Sequence, residues 1–213
     1  MSRSRSSGDK VLFSDKPTDF VNDFLAKFLD PKKPAVTHGV TTLHSLVSMC
    51  MLIKKPDGEK CIARLRATFD TGHFGSAFIG SADLVAGAED YVAGRYDKAA
   101  STFRPLVGPG LFKTEGVREP VAQAFARTGQ DELAEKLDGF WRDDEVMPAA
   151  NPAHVRTALR LERRGDVAHA RRIAEVYVTR WNTADERPRG LDEMKKLLAR
   201  TAGAAAATDA GAK

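Results

Sequence analysis

Cysteine is almost missing from this chain, which has 213 residues and only Cys50 and Cys61. Two cysteines exclude the multi-bridge framework that holds small secreted domains together, and a reducing, cytoplasmic setting is the expectation. Long apolar runs are missing as well. Nothing approaches the ~18 consecutive apolar residues of a membrane span. Residues 1–8 are polar and basic with no apolar stretch behind them, which does not read as a secretory signal.

The motifs of common chemistry are missing too. There is no G-x-x-x-x-G-K-[ST], no G-x-G-x-x-G opening a helix after a strand, and no G-x-S-x-G elbow. The glycine-rich stretch from 72 to 81 fits none of these spacings and reads as a helix start with close packing. The five histidines form no H-E-x-x-H, and no C-x-x-C exists. His38, His44 and Cys50 recur every six residues, a looser spacing than dedicated zinc sites use. Asp143, Asp144 and Glu145 are consecutive and read as solvated, whereas an acid–base pair must share a pocket. Cys50 lies in an apolar stretch, which disfavours a reactive thiolate. The expectation is therefore no enzyme, no cofactor and no metal.

What is present is enough apolar material for a core: 42% of residues are hydrophobic and 29% charged. The net charge of +4 is unevenly spread. Residues 1–152 carry a net −1 and residues 153–213 a net +5, mostly from arginine. A basic surface of that kind can attract an acidic partner or a nucleic-acid backbone. A solvated helix face accounts for it equally well.

Five segments follow from the pattern. Residues 1–17 alternate Ser and Arg without apolar periodicity and read as a flexible basic arm. Residues 18–75 hold a short helix and a β-hairpin. Phe20, Phe24 and Phe28 share one face of that helix, which Asp30-Pro31 ends, and the face docks on the protein's own core or in a partner's groove. The hairpin reading rests on the turn chemistry of Lys55-Pro56-Asp57-Gly58-Glu59. After the turn, Ala63, Leu65, Ala67 and Phe69 alternate with polar residues, the period of a half-buried strand. Before it, residues 46–53 are apolar on both sides and suit a covered strand or a buried helix. Strand pairing around this turn sets Lys54 near Cys61 and Cys50 near Leu65, so no structural disulfide is expected.

The third segment, residues 76–183, repeats itself. Gly94, Gly129 and Gly165 lie 35 and 36 residues apart, and each is followed five residues later by alanine: Ala99, Ala134 and Ala170. Seven residues before each glycine stands a small residue, Gly87, Ala122 or Ala158. Large apolar residues follow: Phe103, then Leu137 and Trp141, then Ile173 and Tyr177. A period of this length marks stacked helical hairpins, in which glycine closes one helix and small residues admit the next. After these, residues 184–201 place Leu191, Met194, Leu197 and Leu198 on one stripe, as in a helix capping the last repeat. Residues 202–213 form an Ala/Gly-rich tail, expected to be disordered.

At Gly87, Gly94, Tyr96, Ala99 and Phe103, and at their counterparts in the other two copies, the chain resembles the tetratricopeptide repeat family. It departs from that family in lacking the tryptophan near each repeat's start and in placing Asp138 where the second copy would have an aromatic. Residues 108–116 also make a longer connection than the family's. The resemblance implies a mainly α fold, an α-solenoid of about three hairpins, whose surface binds peptides or proteins.

One constellation suggests where. Arg156, Arg160, Arg163 and Arg164 fall at i, i+4, i+7 and i+8 of one helix, with Arg171 and Arg172 on the next. Arginine forks suit carboxylates and phosphates. Two readings follow, neither involving a membrane. In the first, the chain is a non-catalytic adaptor or scaffold that binds protein partners, acidic segments among them, within a larger assembly. In the second, it is a basic accessory protein of a nucleoprotein particle, ribosome- or virion-like, touching nucleic acid through its arginines. The setting is cytoplasmic, or an intracellularly assembled particle.

Overall fold

A computed structural model of the chain describes residues 40–53, 55–70, 81–107, 115–139, 152–182 and 188–210. The Ser/Arg arm and the helix of Phe20, Phe24 and Phe28 lie outside these residues. Within them the chain is mainly helical and contains no β-strand. In chain order the helices are α1 Val40–Leu52, α2 Asp57–Asp70, α3 Ser81–Val92, α4 Tyr96–Phe103, α5 Glu115–Arg127, α6 Asp131–Asp138, α7 Pro152–Arg163, α8 Val167–Trp181 and α9 Leu191–Ala210. A short 3-10 turn, Arg104–Val107, extends α4. The chain divides into two compact units, with the boundary between Leu137 and Asp138.

The β-hairpin expected around residues 46–69 is instead a pair of helices, α1 and α2, joined by a tight corner. The side chains explain the difference. Leu43, Leu46, Val47, Cys50 and Met51 are buried on α1, at spacings that close on one helical face. On α2 the buried set is Gly58, Cys61, Ile62 and Leu65, again i, i+3, i+4 and i+7. Ala63 and Ala67, which the strand reading turned inward, are exposed. Their alternation with arginine was coincidental, and alanine favours the helix by propensity. Asp57 and Glu59 sit in the first turn of α2, where the helix dipole favours negative charge. The corner is close-packed: a Cβ on Gly58 would lie 2.7 Å from the Ile53 carbonyl oxygen.

This pairing also brings the two cysteines together. Cys50 and Cys61 form a disulfide with their Cα atoms 5.4 Å apart, contrary to the expectation of none. Strand register would have kept them apart, but helical register turns both onto the seam between α1 and α2.

In the first unit α1 packs against α2, α3 and α5, while α4 lies against both α3 and α5. Leu46, Leu65, Leu84, Phe103 and Phe125 fill its core. Arg66 of α2 grips Glu89 of α3 through two hydrogen bonds of 2.9 and 3.0 Å. Phe103 owes its place to Gly87, where any Cβ would fall 2.3 Å from the ring. The second unit is a three-helix packing in which α8 contacts α7 and α9. Ala158, Ile173, Tyr177, Met194 and Leu197 form its core, and the Tyr177 hydroxyl donates to the Arg189 carbonyl at 2.7 Å. The helix expected to cap the repeats is α9, and it continues past Thr201 to Ala210. The alanine-rich stretch read as a disordered tail is thus helical, as befits the residue with the highest helix propensity.

The three repeat glycines end α3, α5 and α7 in the same way. Gly94, Gly129 and Gly165 adopt φ of 81°, 71° and 86°, a region that a Cβ would penalise. Their N–H groups donate to the carbonyls of Tyr91, Ala126 and Glu162. The next N–H in each copy reaches five residues back, Arg95 to Asp90, Gln130 to Phe125 and Asp166 to Leu161, at 2.8–2.9 Å. These two bonds together constitute a Schellman cap. The second helix then opens identically, with the amides of Ala99, Ala134 and Ala170 donating to Arg95, Gln130 and Asp166 at 3.0–3.1 Å. All three alanines are fully buried, and so are the small residues Gly87, Ala122 and Ala158.

Candidate functional site

The candidate site is the arginine cluster of α7 and α8, in the second unit. Helical geometry does place Arg156, Arg160, Arg163 and Arg164 near one another, since positions four apart stack on one face. The face is not uniform. Its first half turns inward: the side chains of Arg156 and Arg160 are 8% and 3% exposed, and Asp138, 4% exposed, lies between them. Arg156 binds both carboxylate oxygens, Nη2 to Oδ1 at 2.5 Å and Nε to Oδ2 at 3.2 Å. Arg160 Nη2 reaches Oδ2 at 2.8 Å and also the Thr157 hydroxyl at 3.3 Å. These two arginines are therefore committed to an internal ion cluster and are withdrawn from any external face. Desolvating three charged groups is tolerable only because the carboxylate accepts from both forks.

The remaining members lie at the surface. Arg163 and Arg164 are exposed at the end of α7, beside the turn at Gly165. On α8, Arg172 is exposed, while Arg171 is half-buried and donates from Nε to Glu175 at 2.7 Å. Asp166 caps α8 by accepting from the His169 amide at 3.2 Å. Across to α9, Glu162 accepts from Arg200 Nε and Nη2 at 3.1 and 2.8 Å. The Arg200 hydrogen bond holds the Glu162 carboxyl below its ordinary range, with further help from the charges of Arg200 and Arg163. Acidic side chains thus offset part of the arginine charge before any partner arrives. Of the cluster, the members exposed at the surface are Arg163, Arg164 and Arg172.

Asp138 was the residue that sequence reasoning undervalued. It was visible as an acid where the expected repeat would have an aromatic. Eighteen and twenty-two residues later stand Arg156 and Arg160, the cations that make an acid there tolerable. Of the metal candidates, His38 lies outside the described residues, and Cys50 is bonded to Cys61. Among the described residues no three His, Cys, Asp or Glu side chains converge as metal ligands. Among them, too, no helix is long and apolar enough to cross a membrane.

Compared with protein-family models, with curated protein sequences and with solved structures, the chain has no significant match.

Proposed function

We propose that the chain is a non-catalytic adaptor or scaffold, which binds segments of partner proteins through a helical-repeat surface within a larger assembly. The observation that carries this reading is the turn shared by Gly94, Gly129 and Gly165. Three turns spaced 35 and 36 residues apart, each with the same pair of capping bonds and one buried alanine, support a repeated helix–turn–helix unit. Such units make extended surfaces by repetition, and their common use is recognition. On this reading the units stack as a tetratricopeptide-like α-solenoid over residues 76–183.

The basic patch of Arg163, Arg164 and Arg172, with Arg171 beside it, favours acidic protein segments as partners. Arg156 and Arg160 support the patch from below rather than contributing to it. The competing reading, contact with nucleic acid in a nucleoprotein particle, would use the same exposed arginines and predicts a steep salt dependence.

The test is capture of partners by tagged protein from its source lysate, with and without nuclease. The same capture is run with Arg163→Glu/Arg164→Glu/Arg172→Glu, a variant whose helical signal must match the parent's. A protein partner that survives nuclease and moderate salt, and is weakened by the triple variant, supports the adaptor. Material that vanishes on nuclease treatment overturns it in favour of the nucleoprotein reading.

A further inference from the structure

The disulfide is unused by the proposed function, and its placement has a meaning of its own. Cys50 closes the last turn of α1 and Cys61 sits in the second turn of α2, so the bond clamps the corner between the two helices. Both cysteines are inside the first unit's core, 0% and 5% exposed. Helix α1 is also the element on which α2, α3 and α5 converge. A bond at this corner therefore holds the helix against which α2, α3 and α5 pack.

Burial decides how the bond can be made and broken. Reduction requires a thiolate to approach a sulfur in line with the S–S bond. With both sulfurs enclosed, a small thiol reaches neither until the α1–α2 corner opens. Oxidation faces the same barrier in reverse, because a thiol buried among apolar side chains is kept from ionising.

We propose that Cys50–Cys61 is an oxidation-set lock on the α1–α2 corner: it closes while the chain folds, under conditions that oxidise thiols, and the folded first unit then shields it from reductants. In closing, the two thiols give up two protons and two electrons to a disulfide of the glutathione class, which becomes two thiols. In opening, a dithiol supplies the same two electrons and two protons and closes its own disulfide. The lock sets the chain apart from the reducing, cytoplasmic setting that its low cysteine content suggests. It is independent of what the repeats bind.

The experiment uses the full chain. Protein refolded with oxidised glutathione is denatured, and its thiols are counted by alkylation and intact mass. None is expected; two alkylated cysteines would overturn the proposal. The oxidised protein is next treated with dithiothreitol at increasing urea. Reduction is expected to be slow in native buffer and to accelerate by roughly 100-fold as urea opens the corner, the usual behaviour of a shielded site. A fast, urea-independent reduction would show an accessible bond and sink the shielding claim. Finally, hydrogen exchange compares oxidised and reduced chains. Amides of Leu46, Val47, Ile62 and Leu65 are expected to exchange about 100-fold faster after reduction, the scale of closing a loop this short. An unchanged exchange rate there would remove the lock. Cys50→Ser/Cys61→Ser serves as a second form of the reduced state, and its exchange must match that of the reduced parent.

Discussion

At the scale of single residues, the sharpest demands are made by one acid and two glycines. Asp138 is enclosed with two guanidinium groups, so Asp138→Ala would leave both cations buried with no carboxylate between them. Breaking a buried ion cluster in this way costs about 3–5 kcal/mol. Arg160→Met removes one cation but leaves Asp138 on the Arg156 fork, and is expected to cost under ~1.5 kcal/mol by the same reasoning. Urea unfolding followed by tryptophan fluorescence distinguishes the two, and equal losses would contradict the cluster. Gly129 and Gly87 are needed for unlike reasons. Around Gly129 a Cβ would meet nothing within 4 Å, so Gly129→Ala strains only the backbone, by about 1–2 kcal/mol. Asparagine, which tolerates that conformation, should recover much of the loss. Around Gly87 the Phe103 ring is in the way, and the ring is wholly buried. Gly87→Ala is expected to cost ~1–3 kcal/mol through overpacking, with no recovery by asparagine. Thermal unfolding of the four variants checks the contrast.

At the scale of elements, legibility depended on how many independent signals agreed. The turns at Gly94, Gly129 and Gly165 were readable because glycine, the alanine after it and the small residue before it recurred together, 35 and 36 residues apart. The corner at residues 55–59 was readable as a turn, but not as a turn between helices. Its strongest local cue, alternation over residues 63–69, rested on two alanines, which suit a surface helix as well as a strand. The helical spacing of Gly58, Cys61, Ile62 and Leu65 was in the same stretch and would have predicted both the helix and the bridge. That bridge closes a loop with a sequence separation of 11, worth about 3 kcal/mol in the chain-entropy account. The arginine face was legible as a face; that half of it is interior was not, because its counter-ion comes from Asp138, outside the helix. Helix α9 shows the limit of reading composition as disorder, since Ala-rich sequence is also the best helix former. Replacing Ala204, Ala205 and Ala206 with glycine is expected to remove about 1 kcal/mol of helix propensity each. The far-UV helical signal should fall by roughly the last two turns, a loss that circular dichroism measures.

At the scale of the whole molecule, pH reports on both units through different groups. His44 is buried in the first unit, and burial pushes its imidazole below the ordinary pKa of about 6.5. Between the two values the unfolded chain binds the proton and the folded chain does not. Stability is therefore full above about pH 6.5 and falls as the pH drops toward the lowered value. Glu162 acts at more acid pH: its depressed carboxyl adds stability above the ordinary carboxylate range, lost as pH falls through the lowered pKa. Its contribution is small, because the pair with Arg200 is largely solvated. Unfolding midpoints from pH 8 to pH 3 are expected to show a first decline that His44→Gln flattens, and a shallower acid limb that Glu162→Gln flattens. A decline below pH 6.5 that survives His44→Gln would assign it elsewhere.

The covalent tie between α1 and α2 changes what it means to cut this chain. A peptide bond hydrolysed anywhere between Cys50 and Cys61, for instance after the exposed Lys60, leaves the amino- and carboxy-terminal pieces joined through sulfur. Such a nicked molecule keeps its mass apart from one added water, and migrates as one species until a reductant separates it into two. Proteolytic damage at the corner would go unseen in a size separation that does not reduce the sample, and the severed molecule would still carry every helix that follows α2.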